Sequence, residues 1–418
     1  MHNAELCTPQ NVMSDSSSSD GEFEDAARRQ RRRRKRRRIK KAHQAAADIH
    51  FMLMVMMVFS AHSAALLSLL YVQVWLLLQL PDPRVPTTIP PGPRFIVGLG
   101  PFPSGRDSDL RFKAADFYRI TRICGLPNPI RTKRGNTIDT PTALALVCYL
   151  LSYPTKLSTA VQFFKRGEST LCQLFLETCK VLDVQCGHLL LFNTNFIRAS
   201  MPAYAAAIHA KGCPLANCIG FTDCTARRTC KPRPKASRHP GVTSYALQRA
   251  FYTGYTKVHG FKYLTTTFPN GLIVGAAPVA LRHADATALN FSGWGVQAPF
   301  LDNMGNSYTF YGDAAFPMLG WMCKPWPNAQ PGSPEHTFNT GMNQGRVTAE
   351  WGYNIVSNSW QGVDFARWQR IFWTRPGCRY RVAQLLTNFR TCIEQKSQIG
   401  DYFDLLPPPL EDYVNGYW

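Results

Sequence analysis

Apolar positions recur at helical spacing through residues 107–212, and short apolar runs broken by turn residues follow from Asn217 onward. Thr140-Pro141 reads as an N-cap followed by a proline in the first helical turn. Ala143 to Leu151 then carry an apolar face, and Ser152-Tyr153-Pro154 ends the helix. A second short helix fits Leu157–Phe164, Arg166-Gly167 makes a turn, and Ser169 caps a third helix running through Leu182. Short helices joined by a glycine turn resemble a helix-turn-helix, with Lys165 and Arg166 at the turn.

Beyond Asn217 the period changes. Cys218 to Thr225 forms a short apolar strand that ends in a carboxylate, Asp223. Leu264–Phe268 and Leu272–Val279 flank Pro269-Asn270-Gly271, and Asn-Gly between apolar runs signals a hairpin. Tyr308 to Tyr311 is an aromatic, β-branched run that breaks at Gly312 into Asp313. Met342 to Gly352 is compatible with a helix and carries Glu350. The order predicts an α/β protein, a mixed sheet with flanking helices and carboxylates gathered at strand ends.

The first hundred residues have different patterns. Residues 1–41 form a polar tail, acidic to about residue 27 and then holding twelve Lys or Arg in the fourteen positions 28–41. So dense a run is self-repelling and suits a nuclear-import signal or a phosphate-binding arm better than a fold. Within 42–80, no Lys, Arg, Asp or Glu occurs from Phe51 to Leu80, so this is an apolar helix, either buried or transmembrane. One span with the arginines held in the cytoplasm would carry the remainder of the chain across the membrane. Residues 81–104 are a proline-rich linker. These boundaries divide the rest into a helical domain at 105–212, a sheet domain at 213–400 and a C-terminal tail at 401–418.

Composition narrows the classes of function. The net charge is +20 with a pI near 9.6, which favours an anionic partner, nucleic acid or an anionic membrane. The 13 cysteines are scattered and odd in number, which points to a reducing compartment. Gaps of four, five and five between Cys213, Cys218, Cys224 and Cys230 do not follow zinc-knuckle spacing. No Walker loop, GxSxG or HExxH occurs.

The candidate chemistry lies in Asp223, Asp313 and Glu350. Converging carboxylates repel unless a divalent metal neutralises them, and two such ions can clamp a phosphodiester. Asp223 is followed by Arg227, Arg228, Lys231, Arg233 and Lys235, an acid beside a basic cluster. Asp285 either joins the acids or caps the next helix. Arg346 pairs with Glu350, one turn later, or meets phosphate. Asn339 and Asn343 are read as helix caps, His259 and Lys262 as a solvated edge or a DNA contact, and Trp321, Trp326, Trp351 and Trp360 as core.

Taken in order, these residues resemble the PIF/Harbinger transposases. The motifs are Gly220-Phe221-Thr222-Asp223, Tyr255 to Lys262, Pro269-Asn270-Gly271, Arg282-His283 with Asp285, Tyr311 to Pro317, Phe338-Asn339, and Arg346 with Glu350-Trp351-Gly352. Leu151 to Pro154 and Leu385 to Asn388 extend the resemblance over roughly residues 105–410. It implies an RNase H-like DDE nuclease core preceded by a helix-turn-helix-like domain. It also implies catalytic Asp223, Asp313 and Glu350, with Asp285 as a fourth metal ligand. Mg²⁺ or Mn²⁺ would be the cofactor, DNA the substrate and a Myb-like DNA-binding protein the partner; a second copy of the chain is a further candidate partner, and the basic run at 28–41 points to the nucleus. Cys224 replaces the usual glycine and Phe316 the usual tyrosine. A copy that binds DNA or a partner without cutting, and a protein anchored through residues 51–80, are the competing readings.

Overall fold

The computed structural model describes residues 89, 92–98, 110–192, 194–233 and 243–416. The tail at 1–41, the apolar stretch at 42–80 and most of the linker at 81–104 lie outside the described residues. Among the described residues no helix is long and apolar enough to cross a membrane. All of them but none of the first 85 belong to one compact unit, Pro86–Trp418.

The chain enters this unit through helix α1 (Ala114–Ile123) and a small antiparallel pair, β1 (Ile130–Arg131) with β2 (Thr137–Ile138). Helix α2 spans Thr140–Ser152. Its cap is Asp139 rather than Thr140: the Asp139 carboxylate accepts from the Thr142 N–H at 3.1 Å. Thr140 is the first helical residue, and its hydroxyl donates to the Pro127 carbonyl instead. No charge occurs anywhere on α2, and every residue except Tyr149 is buried, as expected of a helix apolar all round.

Helix α3 (Leu157–Phe164) stops where Lys165 turns left-handed at φ 50°, and α4 (Glu168–Cys186) begins after Gly167, one residue before the expected cap at Ser169. These are the paired short helices read from the sequence. Helix α4 buries Leu171, Leu174, Phe175 and Leu182, while its first turn exposes Glu168 and Ser169. Helix α5 (Thr194–Ala210) leads into the sheet.

Strand β3 (Cys218–Arg228) is central. Helix α6 (Ser244–Phe251), β4 (Tyr252–Thr253) and β5 (Val258–Thr267) follow. Then come β6 (Ile273–Gly275), β7 (Val279–Ala280), α7 (Asp285–Ser292), β8 (Phe300–Leu301), β9 (Ser307–Tyr311) and β10 (Met322–Cys323). The sheet is mixed, in the order β10-β9-β3-β5-β4, with β6 and β7 on β5 and β8 on β9. Strands β3 and β5 are antiparallel over eight register pairs, from Phe221 opposite Thr267 to Arg228 opposite Gly260. Strand β9 runs parallel to β3, and β10 parallel to β9. The expected strand Leu272–Val279 is divided into β6 and β7. The hairpin turn before it is as read: Gly271 sits at φ +83°, and the Asn270 side chain accepts from the Leu272 N–H at 3.1 Å.

Helix α8 (Pro334–Ser359) crosses the sheet, capped by the Ser333 hydroxyl, which accepts from the His336 N–H at 3.1 Å. Helices α9 (Pro376–Glu394), α10 (Gln398–Phe403) and α11 (Leu410–Asn415) complete the chain.

The boundary expected at residue 212 does not separate two cores. One apolar cluster runs from Phe117, Leu144 and Leu174 through Tyr263 and Phe310 to Phe389 and Tyr413. Helix α9 is the reason. Arg381 donates to Asp183 of α4 at 2.8 Å and to the Gly187 carbonyl at 3.1 Å. Asn388 on the same helix brackets Ile273 of β6, accepting its N–H at 3.0 Å and donating to its carbonyl at 2.8 Å. Nor is 401–418 a free tail as far as residue 416. Leu410, Tyr413 and Val414 are buried, and Glu411 pairs with Arg119 of α1.

Candidate active site

Parallel pairing sets the site. Phe221 of β3 stands opposite Tyr311 of β9 as their last register pair; two residues further on, Asp223 lies within β3 opposite Thr265 of β5 and Asp313 lies just past the end of β9, and the charge of Asp313 acts on Asp223. Both are partly exposed. The chain must leave β9 sharply to keep Asp313 there. Gly312 allows this: an added Cβ would lie 2.5 Å from the Phe316 ring, which folds back over the strand end. One Asp313 oxygen accepts from the Ala315 N–H at 3.0 Å, and one Asp223 oxygen accepts from the Cys224 N–H at 2.7 Å. Each carboxylate is thus oriented through a single backbone bond.

The electrostatics follow from this arrangement. Partial burial, the largest effect, pushes the Asp223 carboxyl up to about 6, and the negative charges of Asp313 and Asp285 add to it. The Cys224 N–H and the Arg346 guanidinium oppose the rise without overcoming it. Burial also raises the neighbouring Cys224 and Tyr353, with Asp285 acting on the thiol and Asp223 on the phenol. Both stay neutral and protonated at ordinary pH.

Helix α8 closes the site from one side. Its approach depends on Gly345, where a Cβ would lie 2.4 Å from the Phe221 ring and 2.7 Å from the Cys213 sulfur. Arg346, the next residue, brings its charge to bear on Asp223 and Tyr311. Its Nε leans toward the Asn343 side chain at 3.5 Å, and no ion pair joins it to Glu350 among the described residues. Glu350 is exposed, and no hydrogen bond or ion pair of its carboxylate occurs among the described residues. Asp285 is the first residue of α7, and Lys262 of β5 forms an ion pair with it.

The four acids therefore stand in different relations. Asp223 lies in β3 and Asp313 just past the end of β9, and the charge of Asp313 acts on Asp223. Asp285 acts on Asp223 while already neutralised by Lys262. Glu350 faces solvent one turn beyond Arg346. No group of three or more His, Cys, Asp or Glu side chains close enough to hold a metal by itself occurs among the described residues. Two carboxylates still fit Mg²⁺, which keeps several waters and is completed by substrate phosphates rather than by an all-protein cage.

Other candidate residues have structural partners. Asn339 does not cap a helix: its side chain clamps the Trp326 backbone, accepting from the N–H at 2.9 Å and donating to the carbonyl at 3.0 Å. Trp360 is buried and donates to the Thr387 hydroxyl at 3.0 Å, but Trp326, expected in the core, is 51% exposed. Of the basic cluster after Asp223, Arg227 pairs with Asp364 at 2.9 Å and lies over the Tyr380 ring. Arg228, Lys231 and Arg233 are exposed, and Lys235 lies outside the described residues. Cys213 and Cys218 are buried, whereas the Cys230 thiol donates to the Ala366 carbonyl at 3.2 Å. Sequence reasoning missed the Lys262–Asp285 pair and Tyr353. Lys262 was legible as a cation three residues after His259, but nothing local shows that it meets Asp285.

Comparison of the chain with protein-family models, with curated proteins and with solved structures gives no match.

Proposed function

We propose that the chain is a divalent-metal-dependent DNA nuclease of the PIF/Harbinger transposase kind, built on an RNase H-like sheet. The single observation that supports this reading is the parallel register of β3 and β9, whose last pair, Phe221 opposite Tyr311, lies two residues before Asp223 within β3 and two before Asp313 just past the end of β9. The antiparallel excursion through β5 and the return to parallel strands support the RNase H-like reading, as does a helix crossing the sheet with Arg346 and Glu350 on it.

Asp223 and Asp313 would hold the cation. Bound there with a phosphodiester, it would supply Lewis-acid stabilisation of the developing negative charge and assist a water or a 3′-hydroxyl as nucleophile. The chain's own residues do the positioning. Arg346 is placed to meet a phosphate oxygen beside Asp223, Lys262 fixes Asp285, and exposed Arg228, Lys231 and Arg233 lie on the path a DNA strand would take. Glu350 would join the set on a change in its side-chain orientation when substrate is bound. A Myb-like partner, a second copy and a nuclear location belong to the same proposal.

A second reading, a DNA-binding protein that does not cut, draws on the ion pair that occupies Asp285 and on the solvent-facing Glu350. The test is nicking of supercoiled plasmid with Mn²⁺ by the full chain. The nuclease reading expects nicking that falls at least about a hundredfold in Asp223→Ala and Asp313→Ala, with plasmid binding kept within about threefold. Binding with no nicking by the wild-type chain would favour the second reading, and equal nicking by all three would end the assignment of these acids.

A further inference from the structure

A groove of about 530 Å³ lies between the segment that continues from β3, Cys230 to Arg233, and the loop Arg370 to Trp373 before α9. One of its walls carries two aromatic side chains: Phe372 is 42% exposed and Trp373 52%. Lys231, Arg233 and Arg370 supply exposed cations, and none of the groove residues is acidic. The loop is held in shape. The Cys230 N–H donates to the Gln369 carbonyl at 2.8 Å, fixing the two walls together. The Thr374 hydroxyl donates to the Trp368 carbonyl at 2.7 Å and accepts from the Arg370 N–H at 2.9 Å. Phe372 takes a left-handed backbone at φ 63°, a conformation that bulky residues rarely adopt.

We propose that this groove binds an unpaired DNA strand, stacking bases on Phe372 and Trp373 and pairing phosphates with Lys231, Arg233 and Arg370. Charge selects a polyanion, and the aromatic faces select a strand whose bases are unstacked, which a duplex does not offer. The choice of DNA rests on the nuclease reading. The groove begins at Cys230, seven residues past Asp223 along the strand direction. Five of those residues, from Asp223 to Arg228, continue β3, about 17 Å at the rise of a β-strand. The chain would then hold single-stranded DNA at a fixed distance from the acids.

The full chain is irradiated with a short oligothymidine carrying 5-iodouracil, and the cross-linked peptides are mapped by mass spectrometry. The proposal expects cross-links on Phe372 or Trp373, absent with a duplex of the same sequence. Trp373→Ala lowers the cross-link yield and the affinity for the oligonucleotide about tenfold or more, while Trp373→Phe keeps both within about twofold. Cross-links found only outside 230–233 and 370–373, equal yield from the duplex, or an unchanged Trp373→Ala would overturn it. Asp313→Ala separates the two readings: it retains the cross-link while any cleavage is lost. A groove cross-link in a wild-type chain that cuts nothing would sink the nuclease reading and leave the groove standing.

Discussion

Asp223 is held at a position where its own charge is unfavourable. Its folded carboxyl titrates near 6, against about 3.9 for an unfolded aspartate, so the native state binds the proton more tightly. Such a group adds stability as pH falls from about 6 towards 4, and its ionisation weakens the fold above 6. Asp223→Asn keeps the acceptor for the Cys224 N–H and removes the charge. We expect urea denaturation at pH 7.5 to show the variant more stable than wild type by about 2–3 kcal/mol. The gain should shrink steadily as the pH is lowered through 6 towards 4. A gain that does not change with pH would mean that the charge is already compensated. This residue-scale tension was not visible in the sequence. Asp223 was read as a strand-end acid, but it stands in the middle of β3, and its burial and the reach of Asp313 and Asp285 depend on register.

At the scale of elements, the helices and the hairpin were legible because local rules decide them. Thr140-Pro141, Ser152-Tyr153-Pro154 and Asn270-Gly271 carry their own backbone preferences. Caps moved by a residue or two because side-chain donors and acceptors are chosen by neighbours: Asp139 outcompeted Thr140 once the Pro127 carbonyl took the threonine hydroxyl. The placement of Glu350 was not legible. Its helix was clear, but which face meets the sheet is set by Gly345, whose missing side chain makes room for Phe221. Gly345→Ala should cost about 1–3 kcal/mol through overpacking and lift α8 from β3. Thermal melting checks the first effect. A larger pH-dependent difference between Asp223 and Asp223→Asn in that background checks the second, because Arg346, whose charge holds the Asp223 carboxyl down, moves away with the helix. Asn388→Leu should be more damaging than its size suggests, by about 2–3 kcal/mol, since it strands the Ile273 N–H and carbonyl that it satisfies. Chemical denaturation of the variant would show an ordinary surface-like loss if β6 finds other partners.

At the scale of the whole molecule, the sequence suggested two folded domains, and the larger of two apolar clusters runs through both of them. The reason is long-range and beyond local pattern: α9 comes back from the end of the chain to bind α4 through Arg381 and the sheet through Asn388. Unfolding of the Pro86–Trp418 unit should accordingly give a single transition, with tryptophan fluorescence and far-ultraviolet circular dichroism coinciding. Two separated transitions would restore independent domains. The net charge of +20 acts at this scale too. Replacing the cations at 28–41 with neutral residues should flatten the dependence of DNA affinity on salt, by about 0.9 in log-log slope for each phosphate no longer neutralised.

The account stands or falls on whether Asp223 and Asp313 share a cation. The most direct measurement is calorimetric titration of Mn²⁺ into the wild-type chain and into Asp313→Ala, each in the presence of a short duplex, with thermal melting of the same samples. Saturable binding by wild type with a rise in melting temperature, both absent in Asp313→Ala, is the predicted result. Binding of equal affinity in both chains, or in neither, would contradict it.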